Sequence, residues 1–264
     1  MDTPWYNWMP YAVAITLIVL EFRRGCYSQA AMPRNDKLVN FISVFQDSIF
    51  LRPLVAYAGA ALITLLAPVH AGALADLPFW PTFIVVLFAQ DFLHYWFHRW
   101  SHSNPLLWEM HRTHHSASRM SIAVTPRLNM MWELVIPANW ISAAMLYLGM
   151  YEVFWAWFGL RSIVNFASHS AVRWDLSLYR NKVLRPLIWV LERIITLPDA
   201  HHAHHGCGQN GAPMGNFAPT VIFWDVVFGT AHFPHAEQAQ VGIENDPDYP
   251  WYRQLWWPVF RSSK

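Results

Sequence analysis

Runs of apolar residues, broken by short polar stretches, organise this chain. Five runs approach the roughly 20 residues that an α-helix needs to cross a bilayer. They cover 8–22, 49–68, 79–98, 130–148 and 150–168. The first is short and suits a tilted or partly interfacial helix. The third ends in Asp91, His94 and His98, so its last turns must face protein or water. Gly149 separates the last two runs and predicts a tight antiparallel hairpin. Residues 183–197 mix apolar patches with Arg185, Glu192 and Arg193, the pattern of an amphipathic helix lying along the interface. Residues 219–228 are apolar but too short to cross. The expected fold is all-α: a multi-span transmembrane helical bundle forming one integral-membrane domain over residues 1–264. The N-terminus has no positive n-region and no obvious small-residue cleavage site, so the first run reads as a retained span.

Composition points the same way. Hydrophobic residues make up 55% of the chain and charged residues 13%, about half the charge of an ordinary soluble domain. The 16 Trp and 10 Tyr suit an interfacial aromatic belt. A net charge of +1 gives no global pull toward nucleic acid, so none is expected as a partner. The two cysteines, Cys26 and Cys207, form no Cys-x-x-Cys site and imply no disulfide scaffold.

Basic residues set the expected orientation. Arg23, Arg24, Arg34 and Lys37 follow the first run, Arg99, Arg112, Arg119 and Arg127 the third, and Arg173, Arg180, Lys182, Arg185 and Arg193 the fifth. Segments 1–9 and 69–78 hold no Lys or Arg. An N-terminus outside, with 23–48, 99–129 and 169–264 in the cytoplasm, satisfies every segment. That topology puts all the dense histidine clusters on the cytoplasmic face.

The clusters carry the chemistry. They are His94, His98 and His102; then His111, His114 and His115; then His201, His202, His204 and His205, with His169 standing alone. Residues three and four apart share a helical face, so each cluster offers three aligned imidazoles, with His202 off the shared face. Ten candidate ligands exceed the four to six or so that one metal accepts, which favours two metals close together. Imidazole suits Fe, Zn, Cu and Ni alike, and spacing alone does not choose. No Glu-x-x-His pair marks a carboxylate-bridged bundle. His70, His232 and His235 lack such partners and read as interfacial side chains or caps. Metal-bound imidazoles usually donate their second N–H to a carboxylate or carbonyl. Asp91, Asn165 and Asp225 are therefore the candidate catalytic-support residues, with Glu109 and Asp199 each two residues ahead of a cluster.

His-x-x-x-His, His-x-x-His-His, a lone His and a second His-x-x-His-His resemble the fatty acid hydroxylase / sterol desaturase superfamily. Asp91–Ser116 is similar throughout, as is Leu197–Thr230 with its Gly215-Asn216-Phe217 and Trp224-Asp225. The likeness covers roughly residues 80–232, the catalytic histidine-box region; the first 75 residues carry none of it. It implies a helical membrane fold with a cytoplasmic helical cap, two iron ions (a di-iron centre), molecular oxygen as co-substrate and a lipid substrate that is hydroxylated or desaturated. It implies ligands at His98, His102, His111, His114, His115, His169, His201, His204 and His205. It leaves His94 open, since members place the first motif at either register.

Taking hydrogen from an unactivated C–H bond requires a redox cofactor, with the protein supplying position and a dry pocket. Trp132, Trp140, Trp155 and Trp157 are candidate channel-lining or belt residues. No dinucleotide, haem or iron–sulfur motif is present, so a separate ferredoxin, cytochrome or reductase is the expected electron donor, with Arg112, Arg119 and Arg127 as candidate contacts. A histidine-rich metal transporter or storage protein is the rival from another class. It would place ionisable groups along a crossing path, whereas these histidines gather at one side.

Overall fold

A computed structural model of the chain describes residues 4–28 and 32–260. Among the described residues every regular element is helical, and one isolated bridge joins Gly206 to Val241. The order is α1 (Trp5–Arg23), α2 (Arg34–Phe45), α3 (Arg52–Leu66), α4 (Phe79–Ser103), α5 (Pro105–His115), α6 (Met130–Val135), α7 (Pro137–Tyr147), α8 (Tyr151–His169), α9 (Trp174–Arg180), α10 (Arg185–Leu191), α11 (Pro198–His205), α12 (Phe223–Phe228) and α13 (Trp251–Trp256).

The expected second run is the end of a longer helix. α2 and α3 join through a π turn at Gln46–Leu51 into one 33-residue helix, Arg34–Leu66. Pro53 explains the wide turn: its ring has no N–H and crowds the carbonyl four residues back. Among the described residues this helix alone combines the length and apolar composition that a crossing demands. The expected continuous span over 130–148 is broken. Ile136 adopts extended backbone (φ −64°, ψ 123°) and Pro137 opens α7, because proline disfavours the helical region for the residue before it. Residues 183–197, expected as one interfacial helix, form only α10 and the turns on either side of it.

The hairpin at Gly149 is present. Gly149 has φ +88°, and a Cβ there would lie 3.0 Å from Gly72 and Ala75, so both conformation and space call for glycine. The bundle core lies between α4, α7 and α8, with Phe83, Leu87, Met145, Phe154 and Trp157 buried together. α1 crosses α8 at Gly159 and α3 crosses α7 at Gly59, where an added Cβ would meet Tyr6 at 2.9 Å and Ala143 at 2.6 Å. Outward, α1, α3 and α4 present apolar side chains, with Phe22, Leu65 and Trp80 at least 70% exposed.

Two buried charges, Glu21 and Arg127, tie the N-terminal helices to the segments that carry the histidines, and the half-buried Arg173 braces those segments from within. Glu21 of α1 accepts from the backbone of Ile122 (3.1 Å) and Ala171 (2.8 Å) and from the Ser170 hydroxyl. Arg127, fully buried, donates to Asp36 and Asn40 of α2, to the Thr113 carbonyl, and to Ser116 and Gln254. Arg173 spans Asp175 and Asp199. Burial corrects one expectation: Arg127 cannot contact a docking partner, and Arg112, itself buried, is paired with Asp246 at 2.7 Å. Arg119 is exposed.

Candidate metal centre

Local sequence aims the histidine helices at one point. Asn104 caps α5, its side chain accepting from Leu106 and Leu107 (3.0 and 3.1 Å), and Pro105 occupies the first helical position. α5 therefore folds back beside the end of α4. Pro198 similarly starts α11, and His169 closes α8.

Nine of the ten candidate histidines converge. His98, His102, His111, His115 and His204 form one group; His114, His169, His201 and His205 form a second. Within each group the ligand nitrogens all lie within 4.8 Å of one another. The groups adjoin: the His115 and His205 rings stack with centroids 4.4 Å apart. Adjacent histidines are thus shared out between groups, since neighbours in His-x-x-His-His leave the helix at different angles. His94 joins neither group. Its Nδ1 lies 3.2 Å from Arg161, which also approaches Asp91 at 3.9 Å. His202 is buried outside both groups.

Hydrogen bonds decide the tautomers. His98 Nδ1 donates to the Phe217 carbonyl (2.6 Å), His204 Nδ1 to the Gly215 carbonyl (2.7 Å) and His169 Nδ1 to the Asn165 carbonyl (2.8 Å). A carbonyl only accepts, so in the neutral ring each Nε2 is a bare lone pair. Yet the Nε2 atoms of His98 and His204 sit 3.1 Å apart, and His169 Nε2 lies 2.9 Å from His201 Nε2. Burial also pushes the imidazoles of His111, His114, His115, His201, His204 and His205 well below their ordinary range, so the rings are neutral. The lone pairs of His98 and His204, facing each other at 3.1 Å, repel unless a shared cation lies between them. The residues fit a pair of metal ions.

Each support residue acts through backbone. Asp225 accepts from the N–H groups of Phe217 and Ala218, both at 2.8 Å, and so holds the segment whose carbonyls orient His98 and His204. Asp91 accepts from Val221 N–H at 2.6 Å and touches no histidine of either group. Asn165 serves through its carbonyl rather than its amide. Asp199 accepts from Arg173 and from the backbone of His235 and Ala236. Asn216, at φ +55°, locks the turn by donating to the Ala200 and His232 carbonyls. Of the expected channel tryptophans, Trp132 is buried against His111 (centroids 4.2 Å), Trp157 lies in the core and Trp155 is exposed. Glu21 went unrecognised by sequence reasoning, which reads Arg127 as a contact for the electron donor; the charges inside otherwise apolar or loop segments were the available signal.

Residues 83–230, more than half of the chain, match the family model for fatty acid hydroxylase. The chain belongs to the fatty acid hydroxylase family. This stretch holds all nine converging histidines. Within the superfamily, the hydroxylase-family chain is 28% identical over 198 residues to an alkylglycerol monooxygenase of Xenopus tropicalis, covering 72% of this chain and 40% of that protein. It is 30% identical over 141 residues to the alkylglycerol monooxygenase of Homo sapiens, covering 53% and 28%. It is 24% identical over 150 residues to methylsterol monooxygenase 1-3 of Arabidopsis thaliana, covering 56% and 46%. The chain spans less than half the length of these relatives. No solved structure matches it.

Proposed function

We propose that the protein is a membrane-bound non-haem di-iron oxygenase that hydroxylates, or desaturates, a C–H bond of a lipid such as a sterol, a fatty acyl chain or another membrane lipid. The observation that carries this reading is the pair of adjoining all-histidine groups whose carbonyl-fixed tautomers leave bare nitrogens facing one another. The nine grouped histidines are the proposed ligands. The monooxygenase names of the relatives favour iron over zinc, and hydroxylation over desaturation. When bound, two irons supply the one-electron chemistry that activates molecular oxygen toward an unactivated C–H bond.

The chain's own residues hold and shield that centre. The carbonyls of Gly215, Phe217 and Asn165 fix three imidazoles, Asp225 steadies the segment carrying two of those carbonyls, and Trp132 covers His111. Apolar faces of α1, α3 and α4 lie in the bilayer as a multi-span bundle, with the histidine cap on the cytoplasmic side by the positive-inside pattern. Electrons come from a separate donor.

The test is metal content of the purified protein. About two irons per chain are expected, lost in the double variant His114→Ala, His115→Ala, which removes one ligand from each group. Oxygen-dependent turnover of sterol, fatty acyl and ether lipids then identifies the substrate. No stoichiometric metal after anaerobic reconstitution with ferrous iron sinks the reading.

A further inference from the structure

The cap carries a second feature that the histidine centre does not use. Between α9 and α10 opens a cleft of about 280 Å³. Arg180, at the end of α9, and Arg185, at the start of α10, both line it, and both are exposed. Among the described residues neither enters an ion pair. Two guanidiniums sharing one cavity without a counter-ion repel each other and gain from a common anion, above all a phosphate. The acidic group in the wall, Glu192, is already committed. It is 1% exposed, one oxygen accepts from Arg193, and the other lies 2.7 Å from His235 Nε2. Arg193 in turn rests 3.8 Å over the Trp189 ring. Arg193 therefore offsets Glu192, and the surplus positive charge belongs to Arg180 and Arg185.

The rim indicates which phosphate. Val183, Leu187, Trp189 and Val190 stand exposed along α10 and the turn before it, beside the further positive charge of Lys182. A basic segment with an exposed apolar face and a tryptophan sits at the headgroup boundary of a bilayer. A site for a soluble phosphate ester would gain nothing from such a rim. We propose that this cleft binds the headgroup of an anionic phospholipid, with Arg180 and Arg185 on the phosphate and the α10 side chains among the acyl chains. The site rests on the membrane placement proposed above and is independent of the iron chemistry.

The test uses the full chain, delipidated in detergent. It is titrated with phosphatidylglycerol, with phosphatidylcholine and with inorganic phosphate, reading lipid adducts by native mass spectrometry and the thermal midpoint. Iron content is measured in parallel, so failure of the oxygenase reading is seen separately. Phosphatidylglycerol should bind saturably and raise the midpoint, with phosphatidylcholine far weaker. R180Q/R185Q should weaken phosphatidylglycerol about thirtyfold, from about one unit of surface attraction per arginine. R23Q/R24Q, which removes the same charge elsewhere, should leave binding unchanged. Equal responses to the two lipids, or equal weakening by the two variants, overturns the site. A response to inorganic phosphate that matches phosphatidylglycerol overturns the assignment to a lipid. The comparison of the three ligands on the unaltered chain stands without any variant.

Discussion

The family-matched region, 83–230, and the N-terminal helices, 4–28 and 32–66, are built on opposite principles. The matched region supplies every histidine of both groups and turns polar groups inward. The N-terminal helices supply no ligand and turn apolar groups outward. Besides the close crossings of α1 on α8 and α3 on α7, the two meet through a few buried charges: Glu21 under the loops at 122 and 171, and Asp36 against Arg127. The lesson is that a metal centre can be written in one region while its rigidity depends on another that carries no motif.

Asp36→Ala tests that dependence most severely. It leaves the Arg127 guanidinium buried without its carboxylate, an error that costs about 3–5 kcal/mol. Denaturant or thermal unfolding of the detergent-solubilised protein measures it. A loss below about 1 kcal/mol would reduce the N-terminal helices to a membrane anchor.

Asp225→Ala works from the other side. It frees the segment whose carbonyls hold His98 and His204. Iron affinity should fall about 10- to 100-fold, the usual cost of losing an outer-shell partner, with global stability less affected than in the Asp36 variant. Metal titration reads this. Unchanged affinity would mean that the carbonyls are held without Asp225.

Acid should act on the histidine region before the rest. Burial lowers the imidazoles of His111, His115 and His205 well below their ordinary 6.5. Below about that pH the unfolded chain binds protons that the folded chain refuses, so stability present above it is lost as pH falls. The metal-free protein should lose thermal midpoint from about pH 7 to about pH 5. A flat profile would show that these rings protonate without opening the cap.

The smallest effect is expected at His94. Its Nδ1 faces Arg161 and it lies outside both groups. His94→Ala should therefore keep its full metal content, whereas His98→Ala, in the same helix, should lose it. Loss of metal in both would restore His94 to the ligand set.

The sequence by itself determined the helical class, the hairpin at Gly149, the family and the repeated histidine spacing. Helical periodicity, glycine conformation and a repeated ligand spacing are local properties, readable without neighbours. Only the tertiary structure decided how the histidines divide. His114 and His115 are adjacent in the chain, yet they enter different groups because their rings leave α5 in different directions, His115 toward His102 of α4 and His114 toward His169 of α8. It also showed that the break at Pro137 interrupts an apolar run, since apolar composition alone does not reveal where a backbone must turn. Arg127 reads as a surface charge in sequence and is the best-buried cation of the cap in space. Whether a charge faces water or a carboxylate depends on contacts between residues some ninety positions apart, and that is a property of packing.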